Sequence, residues 1–133
     1  ANVPNGVPGV ELRLPIIYSE GVRKGRISLT RMVDICSTNA AKLFGLYPKK
    51  GAILPGSDAD IVIFDPKIEK TITVETLHMG TDYTIYEGMK VTGWPVITIL
   101  RGKVIVENES YLGKKGDGSF IKGRIVDEII DTV

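Results

Sequence analysis

The sequence predicts an α/β protein in which a helical part comes first and a block of short strands follows. Three observations carry this. Residues 28–45 place apolar side chains at helical spacing, Ala59–Asp65 is rich in β-branched residues, and the character of the chain changes between them, after Pro48. Helices followed by strands predict two structural units that meet near residue 48. The 133 residues suit one domain, or the tail of one domain joined to a smaller second one.

Residues 1–15 carry Pro4, Gly6, Pro8, Gly9 and Pro15, which predicts a loop of fixed shape. Ile16–Val22 reads as a short helix ending near Gly21 or Gly25. Ser28 is a good N-cap, and Leu29, Met32, Val33 and Cys36 behind it fall on one helix face. Ser37-Thr38-Asn39 offers a second cap, Ala40, Leu43 and Phe44 the next face, and Gly45 a stop. The region is therefore two short amphipathic helices, or one with a break. After the turns at Lys49-Lys50-Gly51 and Pro55-Gly56-Ser57, Ala59–Asp65 predicts a buried strand closed by Pro66. Lys70–Val74 alternates as a half-exposed strand. Val96–Leu100, Arg101-Gly102 and Lys103–Glu107 form a hairpin in which Gly102 supplies positive φ. Residues 110–123 predict a loop-rich tail, and Arg124–Val133 a weakly amphipathic helix.

Composition excludes several function classes. Hydrophobic residues make up 43% and charged residues 25%, enough apolar material for a core. The formal net charge is +1, so no electrostatic case for nucleic acid or a membrane surface arises. No apolar stretch is long enough to span a bilayer, and the first residues do not form a signal peptide. The single cysteine, Cys36, excludes an intrachain disulfide and favours a reducing, cytoplasmic setting. On an apolar helix position it reads as a small buried hydrophobe rather than a nucleophile.

The residues that tempt a chemical reading mostly have a structural one. Asp58 and Asp60 sit at i, i+2, and at a strand entry they share a face. Asp58 shapes the turn after Gly56 and Asp60 orients the strand entry, which outweighs a catalytic pair. His78 is the one histidine, and a metal site needs several convergent ligands. It reads as a surface or packing residue. Trp94, before Pro95 at a strand start, reads as packing rather than a ligand platform. The glycine-rich tail lacks the Gly-Lys-Ser/Thr ending of a phosphate loop.

Several segments together resemble one family. Pro4-Asn5-Gly6-Val7-Pro8-Gly9-Val10-Glu11 resembles the loop after the last metal ligand of hydantoinases and dihydropyrimidinases. Ser37-Thr38-Asn39-Ala40-Ala41-Lys42 with Leu46-Tyr47-Pro48 resembles their final barrel helix and its exit. Pro55-Gly56-Ser57-Asp58-Ala59-Asp60-Ile61-Val62-Ile63 is similar to a signature found across the amidohydrolase superfamily. His78-Met79, Asp82-Tyr83, Tyr86-Glu87-Gly88-Met89, Gly93-Trp94-Pro95 and Gly113-Lys114 continue the match, so that it reaches about residue 123. Ser19-Glu20-Gly21-Val22 and Lys24-Gly25-Arg26-Ile27 lean toward the bacterial hydantoinases.

The resemblance implies a carboxyl-terminal piece of a longer metal-dependent hydrolase of cyclic amides. Residues 1–48 would end a (β/α)8 TIM barrel, 49–108 would form the carboxyl-terminal share of a small β-sandwich, and 109–133 an extended, oligomer-contacting tail. The family's two metal ions, zinc in most members, are held by four histidines, a carboxylated lysine and an aspartate at barrel strand ends. None of these ligands falls in this chain. One site residue carries over: Asn5, which would contact the cyclic substrate, although Asn5-Gly6 by itself reads as a turn. The resemblance further implies a homo-oligomer, a tetramer, and the remainder of the same enzyme as partner. The alternative is a fragment of a non-enzymatic dihydropyrimidinase-related scaffold protein. An autonomous β-sandwich module is disfavoured, because the helical stripe would lie uncovered.

A fragment of this kind should not stand alone. Expressed by itself, the chain is expected to aggregate or self-associate, as judged by analytical ultracentrifugation. A monomer that unfolds cooperatively would contradict the reading.

Overall fold

The computed structural model describes residues 6–123. The first five residues, Asn5 among them, and the helix expected over Arg124–Val133 lie outside the described residues. The described part begins with helices. A turn through Val10 leads into α1 (Arg13–Ile16), which widens into a π-helical segment, Ile17–Val22. The helix thus starts earlier than expected. Pro15 tolerates this because it lies in the first turn, where its missing N–H has no intrahelical partner. Gly21 is inside the helix, and the reversal comes at Gly25, with φ +67°.

The second helical run combines α2 (Leu29–Val33), a π-helical turn, Asp34–Thr38, and α3 (Asn39–Leu43). Ser28 is extended (φ −76°, ψ 160°) and its Oγ accepts from Arg31 N at 3.0 Å, the expected cap. The second cap does not form. Thr38 is helical (φ −62°, ψ −48°), and its hydroxyl donates to Gly51 O at 2.9 Å, tying the helix to the chain after it. Gly45, at φ +63°, ends the run.

The strands make one antiparallel sheet, ordered β1-β2-β3-β4 among the described residues. The two strands expected before and after Pro66 are a single one, β1 (Ile61–Thr71), paired with β2 (Lys90–Leu100). Pro66 fits because the register shifts between Asp65↔Trp94 and Glu69↔Thr92, so no ladder bond requires its missing N–H. Asp65 Oδ1 accepts from Lys67 N at 2.8 Å across that irregularity. The burial expected for β1 is absent: it is the outer strand, and Val62 and Ile63 are 42% and 45% exposed.

The hairpin forms as expected between β2 and β3 (Lys103–Glu107), with Arg101 (φ 46°) and Gly102 (φ 81°) both in the left-handed region. The supposed loop tail then opens with a short strand, β4 (Ser110–Tyr111), after a second tight turn at Asn108 and Glu109. Trp94 lies inside β2, not at a strand start. It is 8% exposed and packs in a core with Leu12, Ile72 and Val91. Its packing role holds, and it joins the residue before α1 to the sheet.

Helix and sheet meet closely at Gly93, whose φ is +94°. A Cβ there would overlap the ring of Tyr18 and lie 2.8 Å from Phe64 Cε1. Those two rings pack against each other at 5.0 Å between centroids, tilted by 59°. Gly93→Ala is therefore expected to cost about 2–4 kcal/mol, combining overpacking with backbone strain. Urea denaturation checks this by a lowered midpoint.

Candidate functional site

A polar cluster that joins distant parts of the chain centres on His78. Glu11 lies beside fully buried Leu12, which fixes its backbone. His78 follows a 3-10 turn, Val74–Thr76, and Glu109 sits in the β3–β4 turn. Glu11 grips His78 with both carboxylate oxygens. His78 N donates to Oε2 at 2.8 Å, and His78 Nδ1 lies 2.7 Å from Oε1. On the other side His78 Nε2 lies 2.9 Å from Glu109 O. Both ring nitrogens thus face acceptors, an arrangement that suits the doubly protonated ring. The Glu11 carboxylate and the Glu109 carbonyl accordingly hold the His78 pKa above its ordinary value.

The cluster continues inward. The Glu109 carboxylate pairs with Lys70 Nζ at 2.6 Å, and that ammonium stands 4.4 Å from the centre of the Trp94 ring. These groups border a cleft of about 480 Å³ together with Tyr111. His78 is thus a packing residue, as its sequence context suggests, but with a defined job. Neither Glu11, Glu109 nor Lys70 stood out in sequence. Their partners lie far along the chain, and no local spacing announces them.

A second cluster surrounds Lys50. Its ammonium lies 2.9 Å from Asp58 Oδ2 and also pairs with Asp60, while Lys49 pairs with Asp58 Oδ1 at 2.9 Å. Asp60 Oδ1 accepts from Arg101 N at 2.8 Å, and Gly102 N donates to Ala59 O at 3.0 Å. The two aspartates do share a face, and they are committed to cations and to the hairpin turn. Hydrogen bonds from Lys50 and Lys49 hold the Asp58 carboxyl below its ordinary range. Burial works against the charged form of Lys50, but its bonds to Asp60 and Asp58 raise its pKa on balance. This is a structural latch between the chain after the helices and the β2–β3 turn. Cys36 borders the neighbouring hollow, half-buried, and burial pushes its thiol pKa up, away from a reactive thiolate.

Among the described residues no group of three His, Cys, Asp or Glu side chains converges to hold a metal ion. The donors among these residues are too scattered to hold a dinuclear site.

The model of the amidohydrolase family matches residues 9–105. The chain belongs to the amidohydrolase family. This amidohydrolase chain is 55% identical over 120 residues to a D-hydantoinase of Geobacillus stearothermophilus, covering 90% of the chain and 26% of the relative. It is 45% identical over 118 residues to dihydropyrimidinase-related protein 5 of Homo sapiens, covering 89% and 21%. The solved D-hydantoinase of a Bacillus sp. AR9 superposes with a TM-score of 0.90 at 54% identity, over 94% of this chain and 27% of that one. The chain thus spans about a quarter of the length of the relatives it matches. No helix among the described residues is long and apolar enough to cross a membrane.

The His78 contact predicts a pH dependence. Its folded pKa is raised, so its contribution to stability is complete below the ordinary value of 6.5 and is lost as pH rises through the folded value. The denaturation midpoint should fall across that window in the parent and lose this component in His78→Gln.

Proposed function

We propose that this chain is the carboxyl-terminal part of a metal-dependent hydrolase that opens cyclic amides, dihydropyrimidines or hydantoins. The observation that carries this is the joint similarity in sequence and fold to D-hydantoinases over nine-tenths of the chain. In this reading residues 1–48 end a TIM barrel, 49–108 contribute to a β-sandwich, and 109–133 form a tail at an oligomer contact, in a tetramer. The exposed apolar residues support a missing partner surface: Leu29, Val33, Leu43 and Phe44 of the helical run are all more than half exposed.

Two divalent ions, zinc in this reading, would activate the attacking hydroxide, and residues outside this chain would hold them. The chain's own contribution to substrate recognition is Asn5, whose amide can donate to a ring carbonyl and accept from a ring N–H. By itself the chain would be inactive, and the intact enzyme would work in the cytoplasm. The scaffold alternative is weaker, because identity to the D-hydantoinase exceeds identity to the dihydropyrimidinase-related protein, 55% against 45%.

The test uses the full-length protein with hydantoin and dihydrouracil as substrates. Ring opening should disappear with a chelator and return with zinc. Asn5→Ala should raise KM about tenfold, the loss of one well-placed hydrogen bond. A folded, zinc-loaded protein that opens neither ring would defeat the proposal.

A further inference from the structure

The segment that follows Asn5 is held at two points by the segment around His78. At the near end Tyr83 Oη donates to Gly6 O at 3.2 Å. At the far end Glu11 takes both His78 N and His78 Nδ1. Between these points the backbone carries Pro8 and Gly9 and little regular structure, so its shape depends on what grips it. Behind His78 stands a fixed support. Glu109 O accepts at Nε2, the Glu109 carboxylate pairs with Lys70, and Lys70 lies over buried Trp94.

We propose that His78 is a positioning residue: clamped between Glu11 and Glu109, it fixes the shape of residues 6–11 and thereby presents Asn5 to the substrate. The inference rests on the reading of Asn5 as a substrate contact. The clamp is a proton-dependent one. The groups against the ring are Glu11 from the loop and Glu109 and Tyr111 from the β3–β4 turn and strand, and Lys70 from β1 and Arg13 from α1 line the same cleft. The two direct contacts are both acceptors. Loss of either ring proton leaves a nitrogen lone pair facing an oxygen lone pair, which loosens the grip on the loop. The hydroxyl of Tyr83 then holds the near end without support at the far one.

The test uses the full-length, metal-loaded enzyme acting on hydantoin. His78→Gln keeps a polar side chain that does not titrate. It should raise KM about tenfold while kcat changes by less than about twofold, the signature of lost positioning. In the parent KM should climb as pH rises through the His78 titration; in the variant it should stay flat. Glu11→Gln, which leaves His78 in place, should give the same split and keeps the test open if His78→Gln folds poorly. Amide exchange in a peptide spanning residues 6–12 should speed up in both variants relative to the rest of the protein. Folded variants with the parent's KM and unchanged exchange in that peptide would overturn the clamp. The dependence on Asn5 is separable. If Asn5→Ala leaves KM unchanged, the substrate-contact reading fails, and exchange over 6–12 alone decides whether His78 holds the loop. If Asn5→Ala raises KM, the effect of His78→Gln on KM should vanish in that background.

Discussion

The structure depends on the burial of Leu12. Its side chain is fully enclosed with Ile72, Val91 and Trp94, and Ile16, Tyr86 and Met89 close around them. Burying one such side chain is worth roughly 1.5–3 kcal/mol. Its larger effect is geometric. Leu12 precedes α1 directly, while Ile72, Val91 and Trp94 belong to the two long strands or their immediate ends. One side chain therefore sets both the angle at which the helices leave the sheet and the place where Glu11 must stand. The clasp on His78 is possible because the neighbouring residue cannot move.

The ion pairs work differently. The Lys49 side chain is 56% exposed and that of Lys103, paired with Asp117, is 48% exposed, so these contacts are screened by water and add little to stability. Their value lies in register. Asp60 receives the backbone N–H of Arg101, and Arg101 also donates to the backbone of Asp117. The strand entry, the hairpin turn and the tail are thereby held at a common point. A carboxylate that looks catalytic in one dimension is a joint in three.

What the sequence disclosed follows from the range of each interaction. Ser28, Gly45 and the Arg101-Gly102 turn act through bonds only a few residues long, and all three are where local signals put them. Thr38 misled because a hydroxyl before a helical pattern suggests a cap, yet a partner thirteen residues away, Gly51, took it. Pro66 suggested an end to a strand, and only the bulge opposite it explains why the strand continues. The family was legible because its motifs are contiguous. The support around His78 was not, because Glu11 lies 67 residues before it and Glu109 31 residues after it. Asn5, the one site residue the resemblance supplies, lies outside the described residues.

Trp94 has a further consequence. It is the chain's one tryptophan, it is nearly enclosed, and an ammonium rests against its ring. Indole emission shifts with the polarity and charge around the ring, and here both are set at the seam between helices and sheet. This chain therefore carries an intrinsic optical gauge at the joint that matters most. Its colour reports whether Leu12 is seated and whether Lys70 is still drawn toward Glu109, without any label being added.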